Sequence, residues 1–255
     1  MPQESPIVEP VPVLGDNYIW MFASEENHYV AVDPGTSDEV IQWLDDREGR
    51  LSHILLTHHH ADHIGGVAAL QKKYNPQTIG FHGDASRLPA LDRTVQEGDT
   101  LNLGHSMAQV LETPGHTLGH VVYKVGDALF SGDTLFSLGC GRLFEGTAEM
   151  MWNSLNKLLS LPDETRLFCA HEYTLTNHGF ALSLEPENPD LLAMQGKLMK
   201  KNDQNQPTLP TTLAEEKRVN PFLRCSDQSL ITHLGLEKKN PIERFAQIRR
   251  WRNDY

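Results

Sequence analysis

Thr57–His63 reads THHHADH, four histidines and an aspartate in seven residues, with HILLT from His53 running into it and IGGVAALQKKY from Ile64 leading away. HILLT has the short, apolar, β-branched pattern of a buried strand, and the following stretch has helical spacing. The cluster therefore sits at the carboxyl end of a strand just before a helix, the edge at which α/β folds place their sites. If strand geometry continues through the triplet, side chains at i and i+2 share a face, so His58 and His60 project together and His59 points away. Asp62 and His63 then fall on the turn entering the helix, where a carboxylate also satisfies free backbone N–H groups. A polar turn with an aspartate cap is the alternative. The density of imidazole and carboxylate, the usual ligands of zinc and similar ions, favours metal, with two adjacent ions an option beside one.

Outward from the cluster, strand-like runs recur: YIWMFA from Tyr18, HYVAVD from His28, HVVYKV from His120 and DALFSGD from Asp127. Helix-like stretches alternate with them, among them SDEVIQWLDD from Ser37 and AEMMWNSLNKLL from Ala148. This alternation indicates an α/β domain. Beyond about residue 172 the pattern turns helical, in NPDLLAMQGKLMKKND and NPIERFAQIRRWRNDY, with NQPTLPTTLAEE between them as a connecting loop. The expected division is an α/β domain over residues 1–172, which the resemblance given below makes catalytic, and a helical domain over 173–255, which that resemblance makes substrate-binding.

The chain has 255 residues, 39% hydrophobic and 22% charged, a composition that supports a sizeable core rather than disorder. No window approaches the roughly 18 apolar residues needed to cross a bilayer. The opening MPQESPIVEP lacks a charged segment followed by an apolar one, so an unsecreted, cytoplasmic protein is expected. A formal net charge of -12 works against a nucleic-acid partner. Cys140, Cys169 and Cys225 are odd in number and widely spaced, and are read as buried apolar filler in a reducing compartment.

Metal-capable side chains recur at later strand ends. TPGHTLGH carries His116 and His120, FSGDTLF carries Asp133, and LFCAHEYT carries His171. Each alone is ordinary; in this order they can converge on the first cluster at one sheet edge.

The set His58, His60, Asp62, His63, His116, Asp133 and His171 resembles the metallo-β-lactamase superfamily, which implies an αββα sandwich with metals at the sheet edge. LGDNYIW, GDTLFSLGCGRLFEGTAEMM, HEYTLTN, RVNPFLR and IRRWRNDY resemble one family within it, glyoxalase II, over nearly the whole chain. The resemblance implies His58, His60 and His116 on one divalent metal and Asp62, His63 and His171 on a second, with Asp133 bridging. It leaves His59 and His120 outside the ligand set and gives Asp33 a supporting role. Zinc is expected, with iron or manganese as alternatives.

A metal pair of that kind lowers the pKa of water to roughly 7, which provides a bridging hydroxide as nucleophile, with Asp62 and Asp133 beside it. The implied substrate is S-D-lactoylglutathione, a glutathione thioester bearing carboxylates. An acidic protein needs local positive charge to hold it, and Arg249 and Arg252, i, i+3 neighbours on the last helix, supply that. Ile242, Phe245, Ile248 and Trp251 form a separate apolar stripe. Arg142, Phe144 and Tyr173 match the family's remaining glutathione positions, Phe144 standing where members carry tyrosine and Arg252 where others carry lysine. A monomer without nucleic-acid or membrane partners is expected. The competing readings are a single-iron sulfur dioxygenase acting on glutathione persulfide, an RNA-processing enzyme, and a metal-binding scaffold without activity.

Overall fold

The structure, a computed structural model, describes residues 5–255; residues 1–4, which open the stretch read as lacking a leader, lie outside the described residues. Strands β1 (Val8–Val13) and β2 (Asn17–Glu25) form a hairpin in which Val13 pairs with Asn17. β3 (His28–Val32) adds antiparallel to β2. β4 (Arg50–Leu55), β5 (Gln77–Phe81) and β6 (Arg93–Val95) then add in parallel, giving a six-stranded sheet in chain order. Parallel neighbours need crossovers: α1 (Asp38–Asp45) lies between β3 and β4, α2 (Ala61–Ile64) and α3 (Val67–Tyr74) lie between β4 and β5, and a segment with a short 3-10 turn at His82–Asp84 joins β5 to β6.

β7 (Thr100–Leu103), β8 (Ser106–Glu112), β9 (Val121–Val125) and β10 (Ala128–Gly132) pair antiparallel in the order β10-β9-β8-β7. β2 is buried on both faces because its side chains alternate between two cores. Ile19 and Met21 pack with Val40 and Leu44 of α1 and with Val67 and Leu70 of α3. Phe22, on the opposite face, stacks on Phe130 of β10 with ring centroids 5.3 Å apart. These elements form one compact unit, running to Thr113 and including Gly119–Gly132.

A second unit comprises Pro114–Leu118 and Asp133–Tyr255. It opens with the short hairpin of β11 (Leu135–Phe136) and β12 (Gly139–Cys140), followed by α4 (Ala148–Leu159) and β13 (Arg166–Cys169). Then come α5 (Thr174–Leu184), α6 (Pro189–Asp203), β14 (Thr211–Thr212), which pairs with β13, α7 (Leu213–Val219), α8 (Gln228–His233) and α9 (Pro241–Asp254). Leu138, Ala181, Leu191, Leu198 and Val219 form one cluster of its core, while Phe245 of α9 lies wholly buried, its ring centroid 5.9 Å from that of Phe222 and 6.3 Å from that of Trp152. No helix of the described residues is long and apolar enough to cross a membrane.

Two local expectations change. The IGGVAALQKKY helix is interrupted at Gly65–Gly66, because a Cβ on Gly66 would collide with the Thr36 carbonyl and one on Gly65 with that of Gly35. The close approach to the loop after β3 excludes side chains there. The expected NQPTLPTTLAEE loop ends in β14 and α7, because Thr212 caps α7 by accepting from Glu215 N at 3.3 Å, a Thr-x-x-Glu pattern legible in the sequence.

Candidate active site

β3 and β4 run parallel with Val32 beside Leu55, so the residues that follow them emerge together. Asp33 leaves β3 at a φ of 52°. Its Oδ1 accepts from Thr57 N at 2.8 Å, and its Oδ2 accepts from Thr57 Oγ1 at 2.6 Å and lies 3.0 Å from His63 Nδ1. An ionised carboxylate only accepts, so His63 carries its proton on Nδ1 and directs Nε2 toward Asp62, 3.5 Å from that residue's Oδ2. Asn17 Nδ2 donates to the same Asp62 oxygen at 3.0 Å.

The Thr57 hydroxyl donates to Asp33, so its oxygen accepts from His58 Nδ1 at 3.1 Å. His58 Nε2 is thereby turned toward His60 Nδ1, 2.9 Å away. Asp33, His58 and His63 each bring one ligand atom to within 4.8 Å of the others. The oxygens of Asp33 are already taken by Thr57 and His63, which suits a supporting carboxylate.

The strand does not continue through the triplet. β4 ends at Leu55, since Thr57 N–H goes to the Asp33 carboxylate instead of to a neighbouring strand. His58 and His60 nonetheless face each other, and His59 turns to Asp84, Nδ1 to Oδ2 at 2.9 Å. Nor does Asp62 cap α2, which has no side-chain cap; its carboxylate serves Asn17 instead. His120 is buried with its ring stacked on that of His58 at 4.8 Å and its Nδ1 3.1 Å from Thr113 Oγ1.

In the second unit, the backbone of Phe144 and of Glu145 donates to the His116 carbonyl at 3.1 and 3.3 Å, fixing the Pro114–Leu118 segment. His116 Nδ1 donates to the Arg142 carbonyl at 2.8 Å, so Nε2 faces Asp133. Asp133 divides its oxygens: Oδ2 lies 3.3 Å from His116 Nε2 and Oδ1 lies 3.4 Å from His171 Nε2. His171 stacks on Tyr173 with centroids 4.8 Å apart and rings inclined by 4°. Imidazole nitrogens turned by their own hydrogen bonds toward carboxylate oxygens are a donor set that fits divalent ions of the zinc type.

A cleft of about 450 Å³ opens beside these residues within the second unit. Its walls include His116 and Asp133 together with Arg142, Phe144, Tyr173, Arg249 and Arg252. Arg249 is buried: Nη1 donates to the Cys140 carbonyl at 2.7 Å, Nε to Asn253 Oδ1 at 3.1 Å, and the guanidinium lies 5.0 Å from the Phe222 ring centroid. Arg252 Nε donates to Asn177 Oδ1 at 3.2 Å. Burial, then repulsion from Arg249 and from Arg142, pushes the Arg252 guanidinium below its usual range. Every one of these acceptors is neutral. Among the described residues lining the cleft, Asp133 is the only carboxylate against three guanidinium groups, so the cleft favours an anion.

Phe245 and Ile248 of the expected stripe are buried, whereas Ile242 and Trp251 remain partly exposed. Asn177 and the Cys140 carbonyl, which hold the arginines, carry no role in the sequence reading, although HEYTLTN contains the former. All three cysteines are buried, and burial pushes the Cys140 thiol up to about 11, partly opposed by Arg249.

Two protein-family models match the chain. That of the metallo-beta-lactamase superfamily covers residues 13–171, and one described as hydroxyacylglutathione hydrolase C-terminus covers residues 172–255. A hydroxyacylglutathione hydrolase of Vibrio cholerae is 46% identical over 251 residues, 97% of this chain and 99% of that protein. Among solved structures, ETHE1 from Myxococcus xanthus superposes with a TM-score of 0.69 at 27% identity, covering 96% of this chain and 90% of that one. TTHA1623 in a di-iron-bound form gives 0.61 at 26% identity, covering 86% and 100%. The two matched models together span the mixed α/β region and the helical C-terminal region of this chain.

Proposed function

Because the chain belongs to the hydroxyacylglutathione hydrolases of the metallo-β-lactamase superfamily, we propose that it hydrolyses S-(2-hydroxyacyl)glutathione thioesters, S-D-lactoylglutathione first among them, to glutathione and the 2-hydroxy acid. The observation that carries the substrate class is the cleft in which three guanidinium groups stand with His116 and Asp133 on the same walls. A glutathione thioester is an anion whose reacting carbonyl lies some distance from its carboxylates, which suits charge recognition at one part of the cleft and chemistry at another.

We further propose the ligand assignment His58, His60 and His116 for one ion and Asp62, His63 and His171 for the other, with Asp133 between. The division of Asp133's oxygens between two histidines supports a bridging role, and TTHA1623, a fold relative, has been solved in a di-iron-bound form. Divalent ions held by these residues would supply Lewis acidity, acidifying water and polarising a carbonyl at neutral pH. The chain's own residues do the rest. Asn17 orients the Asp62 carboxylate, Asp33 fixes the His63 tautomer, and Arg249 and Arg252 hold the peptide carboxylates while the C–S bond breaks and the thiolate departs. Zinc, with iron or manganese as alternatives, a monomeric state, a cytoplasmic location, and the division at 172/173 into catalytic and substrate-binding domains belong to the same proposal.

The relatives at this level of identity carry hydrolase names, which leaves the sulfur dioxygenase alternative with less support. The test is release of free thiol from S-D-lactoylglutathione by the metal-loaded protein. Turnover should disappear on chelation and in His60→Ala. Undiminished turnover by the metal-free protein, or oxygen uptake on glutathione persulfide without thioester hydrolysis, would overturn the reading.

A further inference from the structure

We infer that Glu216 and Asn220, on and just beyond α7, are positioning residues for the anion-holding wall of the cleft, acting through the β11–β12 hairpin. The inference rests on the glutathione reading above. Each strand of the hairpin is two residues long, too short to hold itself, and Leu138 at its tip adopts a φ of 57°, a left-handed conformation that a branched side chain does not choose unaided. Its bonds therefore come from elsewhere. Glu216, wholly buried, accepts from Leu138 N at 2.7 Å and from Asn220 Nδ2 at 3.0 Å. The same Asn220 nitrogen lies 3.2 Å from the Phe136 carbonyl and 3.1 Å from that of Gly139. Three backbone groups of a four-residue turn thus end on two side chains.

The other side of the hairpin holds the arginines. The Ser137 carbonyl accepts from Asn177 Nδ2 at 2.9 Å, and Asn177 Oδ1 accepts from Arg252 Nε at 3.2 Å. The Cys140 carbonyl accepts from Arg249 Nη1 at 2.7 Å. A Cβ on Gly139 would strike the Asn177 amide, so the contact leaves no slack. If the hairpin shifts, both guanidinium groups lose their fixed acceptors. The RVNPFLR stretch, which contains Asn220 but contributes no group to the cleft walls, acquires a role in this way.

The test compares Asn220→Leu and Glu216→Leu, which remove the bonds, with Glu216→Gln, which keeps an acceptor for Leu138 N. Asn220→Asp is the reserve variant if Asn220→Leu does not fold, since it keeps the acceptor for Phe222 N and loses the donors. KM for S-D-lactoylglutathione and the Kd for S-methylglutathione should each rise about tenfold in the disrupted variants, with kcat within about twofold and metal content unchanged. Glu216→Gln should stay near wild type, and the KM of a neutral N-acetylcysteamine thioester should not move. Unchanged KM and Kd, or equal losses on both thioesters, would overturn the assignment. Tenfold weaker S-methylglutathione binding by Asn220→Leu, in a protein whose wild type hydrolyses no lactoylglutathione, would instead overturn the hydrolase reading and leave the hairpin assignment standing.

Discussion

Asp33 holds His63 by the ring nitrogen nearer the backbone: Oδ2 lies 3.0 Å from Nδ1, and both residues are buried. This contact determines which ring nitrogen of His63 is available, because the carboxylate, which also accepts from the backbone and hydroxyl of Thr57, accepts the hydrogen bond from Nδ1–H and leaves Nε2 free of that proton. It also joins the loop after β3 to the histidine cluster after β4, so one side chain aligns donors from two loops.

Asp33→Asn should therefore weaken metal binding while leaving every proposed ligand in place. An amide presents one oxygen where the carboxylate presents two, so Thr57 and His63 must compete for it. Losses of about 10–100-fold in metal affinity are typical when such a supporting carboxylate is removed. Chelator competition reads the effect directly, and an affinity within twofold of wild type would show that Asp33 supports only the fold.

Asp133 and His171 should behave differently on metal analysis. Asp133 faces two histidines with separate oxygens, Oδ2 toward His116 and Oδ1 toward His171, whereas His171 is proposed as a ligand of one ion. If the wild type binds the two ions per chain proposed above, His171→Ala should retain about one, and Asp133→Ala should fall below that. Equal stoichiometry in the two variants would remove the bridging role from Asp133.

Much of this candidate site is legible in the sequence because its parts are local. THHHADH joins a strand to a helix, and the spacing alone separated His59 from His58 and His60, even though the strand stops two residues short of the triplet. The type of α4 and α6 is readable for the same reason: they are bounded by Thr147 and Asn188, whose side chains accept from the first-turn backbone, whereas α5 and β8 are not read. What could not be read is long-range. No local pattern shows that Glu216 reaches Leu138, 78 residues away, or that Arg249 is buried on a carbonyl 109 residues earlier. Arg249 reads in sequence as a substrate-holding charge on the last helix, with no local sign that it is buried. It is buried because the Cys140 carbonyl, Asn253 and the Phe222 face together replace its water.

Arg252 is the cleaner of the two arginines to test, since it makes one side-chain hydrogen bond to the protein where Arg249 makes several. Arg252→Ala should raise KM for S-D-lactoylglutathione about tenfold with kcat within about threefold, the signature of lost ground-state binding. Arg252→Lys should recover most of the loss, because charge is retained while the planar fork is not. Added salt should raise the wild-type KM more than that of Arg252→Ala. A kcat effect larger than the KM effect would place Arg252 with the chemistry instead of the binding.

Glu216 makes stability depend on pH in the direction opposite to an ion-paired acid. Burial is the largest influence on its carboxyl and pushes it up from 4.5 to about 7, with the Leu138 N–H and Asn220 pulling the other way. The unfolded chain gives up this proton near 4.5 and the folded chain near 7, so between those values the folded state binds more protons. Stability is therefore fully present below the unfolded value and is lost as pH rises through the folded one. The neighbouring Cys169 thiol does not titrate in this window, since burial raises it far above its usual value. At about 1.4 kcal/mol for each pKa unit, the whole shift corresponds to about 3 kcal/mol. Glu216→Gln carries no such proton, so denaturant unfolding of the two proteins should diverge between pH 5 and 8. The wild type should lose about 2–3 kcal/mol relative to the variant across that range. A difference that stays constant with pH would mean that Glu216 is ionised throughout and that the hairpin rests on a buried carboxylate.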